Sequence, residues 1–121
     1  MTKHLLVVLS NAAEGQDEAF NQWYTNTHLG DVLKVPGYVA AQRFKLSEMQ
    51  LAPGEFPYGY MALYEVETND LEQACRALTE GAAGTMYIDP ALDRERTVAW
   101  FYSPITERVT GETQQSEQTV P

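Results

Sequence analysis

Residues 20–44, FNQWYTNTHLGDVLKVPGYVAAQRF, decide the fold of this chain, because they join a helical pattern to a turn and a strand. Side chains three or four positions apart share one face of a helix. In the first half of the segment that face mixes aromatic and polar groups, whereas a helix face that only packs in a core is aliphatic. Its members are Phe20, Tyr24, Thr27, His28 and Asp31, with Trp23 at the border. The mixture predicts the wall of a small pocket.

The helical pattern changes phase in the middle of this segment. Leu29 and Leu33 point almost opposite to the aromatic face on the same helical wheel. Gly30, a poor residue for a helix interior, lies where the phase changes. We therefore expect a helix over about 16–27, then a bend that carries His28, and then a shorter helical segment that ends at the following Pro-Gly pair.

The rest of the chain supplies more strands and a second helix. The predicted strands are 4–9, 38–46, 58–66 and 97–103, and the predicted second helix is 70–80, which Asp70 can cap. The order β-α-β-β-α-β is the ferredoxin-like arrangement. We therefore predict an α+β fold in which a four-stranded antiparallel sheet carries both helices on one face.

The sheet face that the helices leave free still has apolar side chains at alternate positions. An exposed apolar face of this kind is typical of an interface. Two copies that pair face to face about a two-fold axis would bury both faces. We therefore expect a homodimer.

Length and charge limit the classes of partner. The 121 residues suit one domain, which we place at 1–109, and the polar, aperiodic residues 110–121 are expected to be a disordered or partner-contacting tail. The net charge of −9 disfavours nucleic acids and anionic membranes. No run of apolar residues is long enough to span a bilayer and no secretory leader pattern is present, so a cytoplasmic protein is expected.

Cofactor signals are weak in this sequence. The single Cys75 excludes an intrachain disulfide and a cysteine metal cluster, and its helical pattern predicts a buried structural thiol. His4 and His28 do not have the spacing of a metal-ligating pair, and no glycine-rich nucleotide loop follows a strand. We therefore expect neither a metal nor another cofactor.

The pattern Phe20-x-x-Trp23-Tyr24-x-x-x-His28-x-x-Asp31, with Pro36-Gly37 and Arg43-Phe44 after it, resembles the EthD-like branch of the dimeric α+β barrel superfamily. The resemblance covers roughly 5–102. It implies a ferredoxin-like fold, a barrel made by two subunits, and a ligand cleft between helices and sheet in each subunit. The wider superfamily includes polyketide cyclases, hydroxynitrile lyases, haem-degrading monooxygenases and proteins without known activity, so the fold fixes little about the chemistry.

Three residues are candidates for catalysis. His28 can exchange protons near neutral pH and is the candidate general acid or base, although a histidine that only caps a broken helix end would look the same. Asp31 would orient the His28 tautomer if the bend brings the two together, and is otherwise an exposed or capping residue. Tyr24 would orient the ligand or donate a hydrogen bond to it, with core packing as the alternative.

Four residues are candidates for substrate binding. Arg43 would neutralise a carboxylate or an enolate, or else form a structural ion pair. Trp23 would border the pocket or belong to the core. Tyr64 and Trp100 belong to the aromatic positions of the sheet. One strand register would place such residues in the cleft and the other would place them in the dimer barrel, and the sequence leaves both open.

Together these residues favour a cofactor-independent enzyme that moves a proton on a small aromatic or polyketide-like carbonyl compound, as a lyase, an isomerase or a cyclase. Its ligand would be a small hydrophobic or aromatic molecule. One alternative is a non-catalytic binding or accessory protein that uses the same cleft. Another is a haem- or oxygen-handling monooxygenase, in which His28 would have to be the axial ligand of a haem.

Overall fold

The computed structural model describes residues 1–111, and these follow the predicted order β-α-β-β-α-β. The strands are β1 (Thr2–Ser10), β2 (Tyr38–Lys45), β3 (Tyr60–Thr68) and β4 (Val98–Tyr102). The helices are α1 (Asp17–Trp23), α2 (Leu29–Leu33) and α3 (Leu71–Gly84), with a π-helical turn at Tyr24–His28 and a 3-10 turn at Arg94–Arg96. The predicted tail at 110–121 lies outside the described residues except at its start.

The four strands form one antiparallel sheet in the order β2-β3-β1-β4. Leu6 pairs with Tyr64 on one side and with Phe101 on the other, so these three side chains share a face. Phe20, Trp23, Tyr24 and Val32 of the helical segment and Ala74 of α3 are buried in the same core as Leu6 and Tyr64. The helices therefore cover one face of the sheet, and the ferredoxin-like prediction is confirmed.

The first helical segment is continuous, and the bend predicted at His28 is not formed. The backbone N–H of Leu29 donates to the carbonyl oxygen of Tyr24, five residues earlier, and the residues on both sides of the turn keep helical dihedral angles. A π turn of this kind inserts one extra residue into a helix. The extra residue changes the phase of the side chains without breaking the helix. Leu33, which lies almost opposite the aromatic face on the helical wheel, is exposed and therefore does not form a second buried apolar face.

The turn after α2 depends on Gly37. Its φ of 98° lies in the left-handed region, which favours glycine. The Gly37 carbonyl oxygen accepts a hydrogen bond of 2.8 Å from the N–H of Glu67, which brings the chain beside β3. At the next position the Tyr38 hydroxyl donates to the Ala74 carbonyl oxygen at 2.8 Å and ties β2 to α3. The turn thus fixes the strand against both the sheet and the second helix.

Helix α3 begins as predicted but differs in two other respects. The Asp70 side chain accepts from the N–H of Gln73 at 3.0 Å, which is a regular N-cap. The helix continues to Gly84, past the predicted end at residue 80. Cys75 is exposed, so the prediction of a buried thiol was wrong. The buried position of the helix is Ala74, and the next residue is turned by about 100° towards solvent.

Candidate functional site

A cavity of about 170 Å³ lies between the helices and the sheet. Its wall is almost entirely apolar, and the polar atoms on it come from two tyrosines, one histidine and one threonine. The lining residues are Leu6, Val8, Tyr24, His28, Val32, Tyr64, Leu78, Ala82, Met86, Ile88, Leu92, Thr97 and Ala99. An apolar hollow with a few polar groups is the usual form of a small-molecule site.

The π turn places the aromatic and polar groups of the first helical segment on this wall. It begins at Tyr24 and ends at His28, and both side chains line the cavity together with Val32 of α2. The imidazole of His28 stacks on the indole of Trp23, with 4.6 Å between ring centroids, and meets the ring of Tyr24 edge-on at 4.8 Å. Trp23 therefore supports His28 from behind and does not line the cavity.

His28 is held in its neutral form by its surroundings. Burial lowers the pKa of His28 to about 4, and the opposing effect of the Asp31 charge is smaller. The imidazole is therefore uncharged at neutral pH. Its Nδ1 is buried and has no hydrogen-bond partner among residues 1–111. An unsatisfied buried polar atom is rare and costs stability.

Two phenols lie on the same wall. The Tyr64 hydroxyl donates to the Tyr24 hydroxyl over 3.2 Å, which leaves the Tyr24 proton free for another acceptor. Burial raises the pKa of both tyrosines, so both remain protonated donors at neutral pH. The predicted roles of Tyr24 and Tyr64 therefore correspond to positions at the cavity.

Arg43 lies beside this tyrosine pair and not on the cavity wall. Its guanidinium is 4.7 Å from the centre of the Tyr24 ring, and it donates to Asn21 Oδ1 and to Thr25 Oγ1 at 2.9 Å each. Within the described residues it has no ion pair, so the predicted structural ion pair is not formed. The positive charge of Arg43 lowers the pKa of the Tyr24 hydroxyl against the larger effect of burial.

Two predicted site residues lie away from the cavity. Asp31 pairs with Lys34, with 3.6 Å between Nζ and Oδ1, and makes no hydrogen bond to His28. The helix stays continuous, so no bend brings the two side chains together. Trp100 pairs with Val7 on the opposite face of the sheet and is 50% exposed. The strand register therefore excludes Trp100 from the cavity.

Sequence reasoning missed most of the apolar wall. Leu6 and Val8 belong to a continuous apolar run, in which alternation does not reveal the inward side. Leu78 has the helical spacing of Leu71 and Ala74, which predicts only an apolar stripe on α3. No periodic pattern marks Met86 and Ile88 as part of a site. Only their packing against the sheet and helices reveals that role.

In residues 1–111 no group of three or more His, Cys, Asp or Glu side chains is arranged to hold a metal ion. None of the helices there has the length and apolar character needed to cross a bilayer.

Known structures share this fold at low sequence identity. An ethyl tert-butyl ether D (EthD) family protein from Bacillus halodurans superposes with a TM-score of 0.58 at 18% identity, over 87% of this chain and 100% of that one. The haem degrader MhuD from Mycobacterium tuberculosis, solved with two haems in its active site, gives 0.59 at 10% identity, over 88% and 99%. No family model matches the chain, and no curated protein matches it in sequence. The chain therefore shares the fold of these proteins.

Proposed function

We propose that this EthD-like chain is a cofactor-independent enzyme that transfers a proton on a small aromatic carbonyl compound. The observation that supports it best is the uncharged, half-buried imidazole of His28 on a largely apolar cavity wall, beside the phenols of Tyr24 and Tyr64. A neutral imidazole is the form that accepts a proton. The cavity of about 170 Å³ compares with the roughly 150 Å³ hole that takes up benzene in another protein, so one ring is the expected ligand size.

The proposed step begins with a ketone bound beside His28 and Tyr24. His28 removes a proton from the carbon next to the carbonyl group, and the electrons of that C–H bond form the enolate. The Tyr24 hydroxyl donates to the enolate oxygen, and the charge of Arg43 favours negative charge at that phenol. The imidazolium then returns the proton to the same or another carbon. An imidazolium and an enolate form together, so their charges offset each other in the apolar site.

Haem does not fit the cavity in this shape. A cavity of about 170 Å³ accepts one aromatic ring, and a porphyrin contains four pyrrole rings around a metal. The His28 ring is also enclosed by two aromatic neighbours, Trp23 on its face and Tyr24 at its edge. The proposed reaction therefore uses no haem.

A test of the proposal follows the methyl protons of acetophenone in D₂O by proton NMR. The native protein is expected to speed their exchange for deuterium, and His28→Gln is expected to lose about 100-fold or more of that rate, the usual range for a general base. His4→Gln is the matched control, because His4 is the other histidine and its Nδ1 contacts Ser103 outside the cavity. It is expected to retain the native rate.

The result also separates the alternatives. Unchanged exchange in His28→Gln would remove His28 from the mechanism. Acetophenone that binds in the cavity but exchanges no faster than in buffer would instead favour a ligand-binding protein without catalysis. Binding is followed in the same samples by chemical shifts of the cavity residues, so a missing rate is not mistaken for a missing ligand.

We also propose that the protein acts as a homodimer. The sheet face opposite the helices carries Val7, Leu63 and Trp100 side by side across three strands. Monomeric soluble proteins rarely leave such a contiguous apolar surface in water. Face-to-face pairing of two sheets would cover it in both copies and would leave the cavity, on the other side of the sheet, open to ligand.

A further inference from the structure

Met86 lies between the cavity and a second hollow at the surface. The outer hollow, of about 530 Å³, is a groove between the end of α2 and α3, and its wall includes Val35, Pro36 and Ala77. Met86 lines this groove and also lines the inner cavity, and among residues 1–111 no other residue lines both. One half-buried side chain therefore stands between a space for one ring and a space three times larger.

The backbone holds Met86 in that place. The Gly81 carbonyl oxygen accepts from the N–H of Thr85 at 3.0 Å and from that of Met86 at 2.8 Å, which turns the chain back at the end of α3. The Met86 side chain then lies against Gly81, where an added Cβ would be 3.3 Å from Met86 Cε and 3.9 Å from Val35 Cγ2. Its tip thus lies between α3 and Val35, the second residue after α2.

We infer that Met86 determines ligand size, by closing the inner cavity against the outer groove so that the site accepts one aromatic ring and excludes two fused rings. This inference rests on the proposed function for the chemical class of the ligand, an aromatic ketone. A methionine suits the position because its unbranched thioether fills irregular space and changes rotamer easily. The side chain closes the cavity and can still move aside for a ring to enter. Shortening it joins the cavity to the groove.

The test compares two ketones that carry the same reacting group, acetophenone with one ring and 2-acetylnaphthalene with two. Dissociation constants come from NMR titration of the full-length protein. The native protein is expected to bind the one-ring ketone about tenfold or more tightly than the two-ring ketone. Met86→Ala is expected to bring the two constants within about twofold of each other, mainly by tightening the two-ring ketone, because the joined space accepts both.

Met86→Leu is the matched control, since it nearly conserves volume and should keep the native preference. Circular dichroism and melting curves establish that each variant is folded, and Met86→Val carries the same prediction if the alanine variant does not fold. An unchanged preference in the shortened variant would overturn the inference, as would failure of that variant to bind the two-ring ketone.

Deuterium exchange in the same samples separates this inference from the proposed function. A preference that changes in Met86→Ala, together with no protein-dependent exchange, would support the size limit and contradict the enzyme. Exchange that depends on His28, together with a preference for the one-ring ketone that is unchanged in Met86→Ala, would support the enzyme and contradict the size limit.

Discussion

The imidazole of His28 is positioned by the aromatic rings around it and not by a hydrogen-bonded carboxylate. Catalytic histidines are usually oriented by an acidic or carbonyl acceptor on the second ring nitrogen. Here Asp31 pairs with Lys34, and the faces and edges of Trp23 and Tyr24 hold the imidazole. This packing fixes the ring plane but satisfies neither nitrogen by a side-chain hydrogen bond within the described residues. The free Nδ1 is thus the distinctive feature of the site.

The lowered pKa of His28 predicts how stability depends on pH. The unfolded chain binds a proton at His28 below about pH 6.5, whereas the folded chain binds it only near pH 4. Between these values the unfolded state holds more protons, so the free energy of unfolding falls as the pH is lowered. Protonation of His28 should lower the free energy of unfolding by an amount on the order of 2–3 kcal/mol between pH 7 and pH 4.

Urea unfolding at a series of pH values measures this contribution. His28→Gln should flatten the stability curve by that amount relative to the native protein, because glutamine does not titrate. His4→Gln keeps the buried imidazole and should retain the slope. Equal slopes in the native protein and His28→Gln would contradict the burial of a neutral His28.

At the scale of elements, the π turn joins α1, which packs in the core, to α2, which contributes to the cavity wall, within one continuous helical segment. Phe20 and Trp23 of α1 are buried, and Val32 of α2 is buried as well. A regular α-helix would lack the extra residue between these positions. Val32 would then be rotated about the helix axis by about 100° relative to Phe20 and Trp23. Turns of this kind are often found at functional sites. The turn therefore serves both the packing and the placement of His28.

Deleting Asn26, an exposed residue inside the turn, should show this dependence. The deletion restores regular α-helical phase and turns either Val32 or the aromatic pair of α1 away from the core. Loss of one such buried side chain costs about 2 kcal/mol or more, which urea unfolding would measure. The substitution Asn26→Ala keeps the residue count and should change stability by no more than about 0.5 kcal/mol. A deletion as stable as the substitution would show that the turn is dispensable.

At the scale of the molecule, the two faces of the sheet have different roles. The inner face carries Tyr64 and the cavity, and the outer face carries Trp100 and Tyr102, which are 50% and 52% exposed. The strand pairing places Val7 and Leu63 next to Trp100. Burial of this outer face would add stability, since apolar area removed from water contributes roughly 25 cal/mol per Å².

The proposed dimer gives a prediction at this scale. Sedimentation should find the native protein at twice the 13.6 kDa of one chain, and Trp100→Glu at the mass of one chain, because a buried unpaired carboxylate opposes pairing. Tyr87→Gln is the control, since Tyr87 is similarly exposed but lies near Trp23 on the helical side. A native protein that sediments as a folded single chain at micromolar concentration would contradict the dimer.

Local sequence signals gave correct predictions where a residue type favours one particular backbone conformation or hydrogen bond. The Pro36-Gly37 turn, the Asp70 cap and the order of strands and helices follow from backbone conformation and short-range hydrogen bonds, and the structure has them all. The placement of Tyr24 and His28 on one helix face also followed from spacing alone. The predicted bend at His28 was wrong because helix propensity cannot distinguish a broken helix from a π turn, which depends on packing on both sides.

The sequence by itself determined the ferredoxin-like topology and the neighbours of His28 on its own helix, because periodicity and turn chemistry are properties of consecutive residues. Only the tertiary structure decided that Tyr64 faces the cavity and Trp100 does not, that Asp31 pairs with Lys34, and that Met86 closes the wall. These outcomes depend on strand register and on contacts between segments far apart in the chain. A strand alternates its faces identically in either register, so only the completed packing fixes which face looks inward.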